Sequence, residues 1–458
     1  MTLNVGFAKS DITPRVGVEL CGFGPFLNRH STGIHDPLWA RAMAVRGDGQ
    51  TLVVIACDLI GVAQSTTDHV RSLLAQSHGV SADSIMICCS HTHSGPAPGV
   101  YIGWGDADYP YLEVLPHRIA RAAARALDAL QPAVLQHAEV PCEGIGQNRE
   151  YDEYWAPYEE ALKPTWRPAR PELTDTTCHV LTARAPDDRL LGFVSTFGCH
   201  PVVCCANTHQ IHGDYPGVAL NRLEQAHPGS VGLFLQGAQG DVNTPVGCND
   251  DTSGLKALDV IADRFACAVQ QGIDAAEPIE VQDLSATRHQ KAFSRKPWTR
   301  DEIQRRLDEC EGVIQAEEDE GGWDDASRER RMQTVYAIAL RGLLRRSEEG
   351  LALEPDIEVH GMRIGPIALL GSPFETFRAI KNDVVARATA PVPLVVSFVN
   401  NSTGYAPDTT AAERGGYAAD MVPLMCGELP YADIHAELVH ELLALDAQLQ
   451  DACERDVT

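Results

Sequence analysis

The sequence predicts an α/β protein: a layered domain in which a mixed, largely parallel sheet is flanked by helices, with the functional site at the carboxyl ends of strands. Three observations carry this prediction. Short apolar runs such as Ser84-Ile85-Met86-Ile87-Cys88-Cys89 alternate with segments of helical period in a β-α-β-α order. Several of those runs end on residues able to bind a metal or move a proton, namely Asp58, His91 with His93, and His200. The 458 residues, 44% of them hydrophobic, suffice to bury one large core or two modest ones.

Taken in order, residues 8–38 are rich in turn formers, including Cys21-Gly22-Phe23-Gly24, and are expected to form loops over a site. Residues 38–45 and 51–57 read as a strand pair joined by Gly47-Asp48-Gly49, which places Asp58 at a strand end like a catalytic carboxylate. A helix over 66–76 precedes the strand of 84–89, whose end carries Ser90-His91-Thr92-His93-Ser94-Gly95-Pro96. Residues i and i+2 of a strand share a face, so His91 and His93 are expected to point into one site. They read as metal ligands or as hydrogen-bonded turn histidines. A helix at 111–130 and a strand at 133–140 lead to a loop with Arg149, either an oxyanion partner or a surface arginine. Residues 151–171 read as an irregular excursion.

Strands at 178–185 and 190–199 flank a Pro186-Asp187-Asp188 turn, and the second delivers His200. Asp214 opens a helix near 217–223, as an N-cap or as a ligand. The strand at 231–236 runs into a Gly-rich loop bearing Asp241 and Asn243, which lacks the Lys of a phosphate loop. After a helix at 254–271, the charged stretch 299–349, interrupted by Gly321-Gly322-Trp323, reads as a peripheral helical hairpin with a solvated face. Strands at 367–370 and 394–399 lead to Glu375 and Tyr405, and a helix at 431–448 closes what reads as one domain, 1–458, without an internal repeat.

The net charge of −26 disfavours nucleic acid and anionic membranes as partners, because the long-range field repels both, and leaves a small-molecule substrate. A homo-oligomer is left open. Met1-Thr2-Leu3-Asn4-Val5-Gly6 leads into polar sequence without the pattern of a signal peptide, and no apolar run is long enough for a bilayer, so a cytoplasmic location is expected. Many of the fourteen cysteines, Cys57, Cys88, Cys89 and Cys199 among them, sit in apolar runs, where thiols act as small hydrophobes; this argues against disulfides and against a cysteine hydrolase.

The ordered motifs together resemble the neutral/alkaline ceramidase family. The family's Thr-His-Thr-His-Ser-Gly-Pro is similar to Ser90–Pro96, its Val-His-Pro to Cys199-His200-Pro201, and its Ser-x-Asp to His212-Gly213-Asp214. Its Gly-Asp-Val-Ser-Pro resembles Gly240-Asp241-Val242-Asn243, its Pro-x-Glu-x-Thr resembles Pro373-Phe374-Glu375-Thr376, and its late tyrosine motif resembles residues 400–410. The resemblance implies that Zn²⁺ is held by His91, His200, Glu375 and Tyr405, with His93 in an acid/base or positioning role and Arg149 as the active-site arginine. It also implies an immunoglobulin-like C-terminal domain and a secretory start, for which this sequence has no counterpart, and a serine where Asn243 stands. These departures point to a soluble, non-lipid substrate.

The expected chemistry is therefore attack on a carbonyl by water activated on Zn²⁺, with Mn²⁺ and Fe²⁺ accepting similar ligands. His93 or Asp58 would manage the proton. Arg149 and Asn243 would donate to the oxyanion, a contribution worth about 3–4 kcal/mol in well-placed cases. Asp214 and Asp241 are expected to orient ligands, although Asp214 is itself able to ligate a metal. By resemblance the bond is an amide, but the same apparatus opens an ester or lactone, and a non-catalytic metal-containing binding protein is the alternative of another class.

Overall fold

A strand, a hairpin and a β-α-β crossover, used three times over, build the computed structural model, which describes residues 3–151, 156–246, 250–318 and 327–455. In the first unit β1 (Asn4–Asp11) pairs with β2 (Trp39–Gly47), which turns into β3 (Gln50–Cys57). The turn residues Asp48 and Gly49 both have positive φ, 46° and 83°, as a tight hairpin with right-handed twist requires. Helix α1 (Gln64–His78) then crosses to β4 (Ile85–Cys89), parallel to β3, and α2 (Tyr109–Asp128) follows.

The second unit repeats this path. Here β5 (Val134–Pro141), the hairpin β6 (Thr177–Arg184) and β7 (Leu190–Phe197), α3 (Asp214–Ala226), β8 (Val231–Gln236) and α4 (Asp251–Ala275) succeed one another, with β8 parallel to β7. The third unit begins with β9 (Leu284–Ala292) and is interrupted by α5 (Arg300–Glu318) and α6 (Arg328–Glu348). It resumes with the hairpin β10 (Asp356–Ile364) and β11 (Ile367–Gly371), α7 (Arg378–Val385), β12 (Val392–Val396) parallel to β11, and α8 (Ile434–Arg455). The repeat absent from the sequence is thus present in the topology.

The expected α/β layering and mixed pairing hold, while the largely parallel character holds only in part and the strands divide among several sheets. Among the described residues there are three main sheets, and each has one parallel pair beside antiparallel ones, because the hairpin turns are too short for a parallel crossover. The difference has a physical source. One face of each sheet meets its own helices, as Ile85, Ile87 and Cys89 do with residues of α1 and α2, while the other joins a core common to all three sheets. Met43, Val54 and Met86 meet Leu181, Val194 and Leu233 and also Met362, Ile367 and Leu394 in that core. Strands covered on both faces are apolar throughout, the pattern more usual in parallel sheets.

The charged 299–349 stretch also differs from expectation. Its interruption at Gly321-Gly322-Trp323 lies outside the described residues. The face of α6 carrying Met332, Tyr336, Leu340 and Leu343 is buried against Ile60, Trp104 and Tyr405, so the segment roofs the site rather than lying apart from it. Residues 151–171 contain a short helix, Tyr158–Ala161, with residues 152–155 outside the described ones. Among the described residues no helix is long and apolar enough to cross a membrane.

A buried ion network ties the first unit to the third. Glu358 on β10 accepts from both terminal nitrogens of Arg71 at 3.0 and 2.9 Å, from Arg288 at 2.7 Å and from Asn400 at 2.7 Å, while Asn400 accepts from the Ile87 amide at 2.9 Å. Burial raises the Glu358 pKa, but Arg71 and Arg288 more than offset this and hold it below the ordinary value. A folded pKa below the unfolded one stabilises above the unfolded value of about 4.3, and the gain is lost as pH falls through the folded value. Glu358→Gln should therefore flatten the loss of stability on acidification, read as the urea midpoint from about pH 7 to about pH 3. Glu358→Ala, which strands Arg71, should cost about 3–5 kcal/mol in the same assay.

Candidate metal centre and active site

Each unit delivers a polar side chain just beyond its parallel strand pair, and these meet at one point. His91 follows β4 with φ 69°, a left-handed conformation uncommon outside glycine, and its ring stacks on Phe398 with centroids 4.0 Å apart. Its Nδ1 lies 2.7 Å from the Ile60 carbonyl. His200 follows β7, and its Nδ1 lies 2.7 Å from the Gln239 carbonyl. A carbonyl only accepts, so each Nδ1 carries the proton and each Nε2 presents a lone pair. Glu375 Oε2 is 2.9 Å from His200 Nε2 and 3.4 Å from His91 Nε2, and the Tyr405 hydroxyl is 3.3 Å from His200 Nε2. Pairing of Glu375–Thr376 with Tyr405–Ala406 sets the last two side by side.

Two lone pairs and a carboxylate, all buried, face one another with one phenolic proton beside them. A cation resolves that arrangement. Ligands held about 2.0–2.1 Å from a tetrahedral ion are about 3.3 Å apart, close to the separations found, so these residues fit a metal. The electrostatics agree: burial, reinforced by Arg149, lowers His200 to about 4 and keeps it neutral. Burial works against the Glu375 carboxylate, yet positive charge on His91 and His200 would bring its pKa well below the usual value, a role that a cation between them takes over when the imidazoles are neutral.

His93 stands beside this cluster, its Nε2 3.1 Å from that of His91. Phe23 packs edge-on to it at 4.9 Å, and Arg29 donates to its carbonyl. A cavity of about 320 Å³ opens here, walled by His93, Arg149, His200, Asn243, Tyr405 and Tyr417. The Arg149 guanidinium lies 4.9 Å over the Tyr405 ring and 5.8 Å from that of Tyr417, and its Nη2 is buried without a protein partner. Asn243 Oδ1 is likewise unpaired, while its backbone pairs with Gln147 and bridges to His200.

The family model for neutral/alkaline non-lysosomal ceramidase, N-terminal, matches residues 3–272 of this chain. The chain belongs to that family. It is accordingly a hydrolase of the ceramidase class, acting on an amide C–N bond. The fold is similar to that of neutral ceramidase from Pseudomonas aeruginosa, at 19% identity and a TM-score of 0.76 over 99% of this chain and 75% of that one. It is also similar to a ceramidase complexed with C2, at 18% identity and a TM-score of 0.76 over 99% of this chain and 76% of that one. No curated protein sequence matches the chain.

Among the residues singled out by sequence, His91, His200, Glu375 and Tyr405 come together in this ceramidase-family chain, with His93, Arg149 and Asn243 around the cavity. Asp58 does not join them. Its carboxylate accepts from Arg41 at 2.6 Å and from the Trp39 amide at 2.9 Å, and Arg41 in turn holds Glu224 at 3.1 Å, so Asp58 anchors its hairpin to α3. Asp214 sits in the first turn of α3 and accepts from the Tyr215 amide at 2.7 Å; burial raises its pKa to about 7. Asp241 accepts from the Arg378 amide at 2.8 Å and Asn148 at 2.9 Å, while its own carbonyl accepts from the Arg149 amide at 2.9 Å, so it fixes the backbone under Arg149.

Sequence reasoning missed Tyr101, Trp104 and Tyr417, which line the small cavity of about 40 Å³ reaching His91 and Glu375. None lies in a recognisable motif; Tyr417 is marked only by the preceding Gly415-Gly416. Gly22, placed by sequence in a covering loop, has φ 102°, and a Cβ there would lie 2.4 Å from His93 Nδ1. Gly22→Ala should therefore displace His93 and lower kcat about 100-fold, the cost of an ångström-scale misplacement, with metal content unchanged by elemental analysis.

Proposed function

We propose that this chain is a zinc-dependent amidohydrolase acting on a small, soluble substrate rather than on ceramide, with the three units working as one catalytic domain. The observation that carries this reading is the convergence of the His91 and His200 lone pairs and the Glu375 carboxylate beside an open cavity. Tyr405 adds a fourth protein donor beside these three, and water would enter as a further ligand from the cavity side. Nitrogen and oxygen donors at tetrahedral spacing suit Zn²⁺, although Mn²⁺ and Fe²⁺ take related sets. When bound, the ion supplies a Lewis acid and makes water nucleophilic near neutral pH.

The protein's own residues do the rest. His93 takes the proton of the attacking water at Nε2 and returns it to the leaving nitrogen. Arg149 donates from Nη2 to the carbonyl oxygen as negative charge develops, and stacking on Tyr405 and Tyr417 fixes its direction. Asn243 turns its amide to the same cavity, and because that side chain is no nucleophile, the attacking oxygen comes from water. A volume of about 320 Å³ lies at the small end of ligand sites, and Arg149, Asn243, Thr244 and Arg328 supply polar wall. Phe23, Trp104, Val202 and Met332 make the rest of the wall apolar, and these features support a compact substrate with polar and apolar parts.

The test is zinc content in wild type, His91→Ala and Glu375→Ala, paired with turnover of short amides, esters, lactones and ceramide. Both variants should lose one equivalent of zinc together with hydrolysis. Arg149→Ala should keep the ion and lose about 10²–10³ in kcat/KM. Zinc at the wild-type level in both ligand variants would defeat the ligand assignment, and ceramide cleaved faster than every short amide would defeat the substrate assignment.

A further inference from the structure

A second constellation of metal-ligating side chains lies away from the site described above. On β5, Leu135, His137 and Glu139 share the face turned toward the core common to the three sheets; on β6, His179, Leu181 and Ala183 share it. The pattern along both strands is apolar deep in that core and changes to His and Glu toward one end. Glu139 and His179 are direct cross-strand partners, with His137 diagonal to His179. His137 Nε2 lies 3.4 Å from His179 Nδ1, which lies 3.7 Å from Glu139 Oε1, and all three donor atoms fall within 4.8 Å of one another.

The rings are nearly parallel, 15° apart, with both nitrogens brought to the same edge. Stacked imidazoles alone have no need to converge with a carboxylate on one point. Separations of 3.4 and 3.7 Å are near the roughly 3.3 Å between neighbouring ligands of a tetrahedral ion. Burial lowers both histidines from their ordinary pKa, against the pull of Glu139, and so favours the neutral form that carries a free lone pair. A cavity of about 280 Å³ adjoins Glu139 and His179, and the Asp175–Lys381 ion pair, 2.7 Å long, lines it.

We propose that His137, Glu139 and His179 form a second site for a divalent transition-metal ion, Zn²⁺ being the best matched. Three protein ligands hold the ion between β5 and β6, and its remaining position faces the adjoining cavity, where water completes the coordination. The ion staples two strands of the sheet whose third strand, β7, leads to His200. The chemistry is distinct from the first centre, since it requires neither the ceramidase motifs nor Tyr405, and it stands or falls separately.

The experiment is zinc stoichiometry of the full chain after dialysis against zinc and removal of free ion, in wild type, His179→Ala, Glu139→Gln and His91→Ala, with circular dichroism confirming the fold of each. Two equivalents in wild type, falling to one in His179→Ala and to one in His91→Ala, are expected, with Glu139→Gln weakening the second equivalent at least tenfold by zinc titration. One equivalent in wild type that His91→Ala removes and His179→Ala leaves would overturn the proposal while preserving the first centre. One equivalent that only His179→Ala removes would support the second site and overturn the first. A His179→Ala chain that fails to fold is replaced by His137→Gln, read against the same outcomes.

Discussion

The carbonyl oxygens of Ile60 and Gln239 settle the chemistry at the centre of this protein. By accepting from Nδ1 of His91 and His200, they turn each opposite nitrogen into an acceptor and aim it inward. The rest of the local structure follows from the need to keep those two rings still. Phe398 supports one face of His91, and Asn400, two residues on, locks the supporting loop through Glu358 and the Ile87 amide. The loop ending at Asn243 supplies the carbonyls that hold His200, while Asp241 within it holds Arg149.

Family membership and site geometry reinforce each other here because they rest on different observations. The family match covers residues 3–272, whereas Glu375 and Tyr405 lie beyond it, and the fold nonetheless brings them to His91 and His200. The match alone leaves half the donor set unplaced. Donor spacing alone says nothing about which bond is cleaved. Together they bring the hydrolase family and a candidate donor set onto one chain.

Much of this was legible in the sequence, for local reasons. Strand ends are marked by apolar runs that stop, and the residues just past them, His91, His200 and Glu375, sit in short motifs that survive without knowledge of sheet order. Asp58 was misread because its partners, Arg41 and Glu224, lie on another strand and on a helix, and nothing near it in sequence names them. The share of parallel pairing was over-read because two-sided burial erases the alternation that separates antiparallel from parallel sheets. The roof formed by α6 was hidden differently: Met332, Tyr336, Leu340 and Leu343 do form a stripe at helical spacing, but the surrounding charge directed attention to the solvated face. Tyr101 comes from a loop and Tyr417 from the short helical turn Tyr417–Met421, and only the folded chain defines their approach.

Donors drawn from all three units have a consequence for the whole molecule. The spacing of the candidate donor atoms is a joint property of three sheets, so a slight rotation of any one, from a core substitution far away, reaches the cluster as a change in that spacing. During synthesis the order is equally strict: the first two units emerge with only imidazoles in place, and the carboxylate and phenol arrive with the last. The donor set is therefore incomplete until the final third has folded, and arrested or clipped products lack Glu375 and Tyr405.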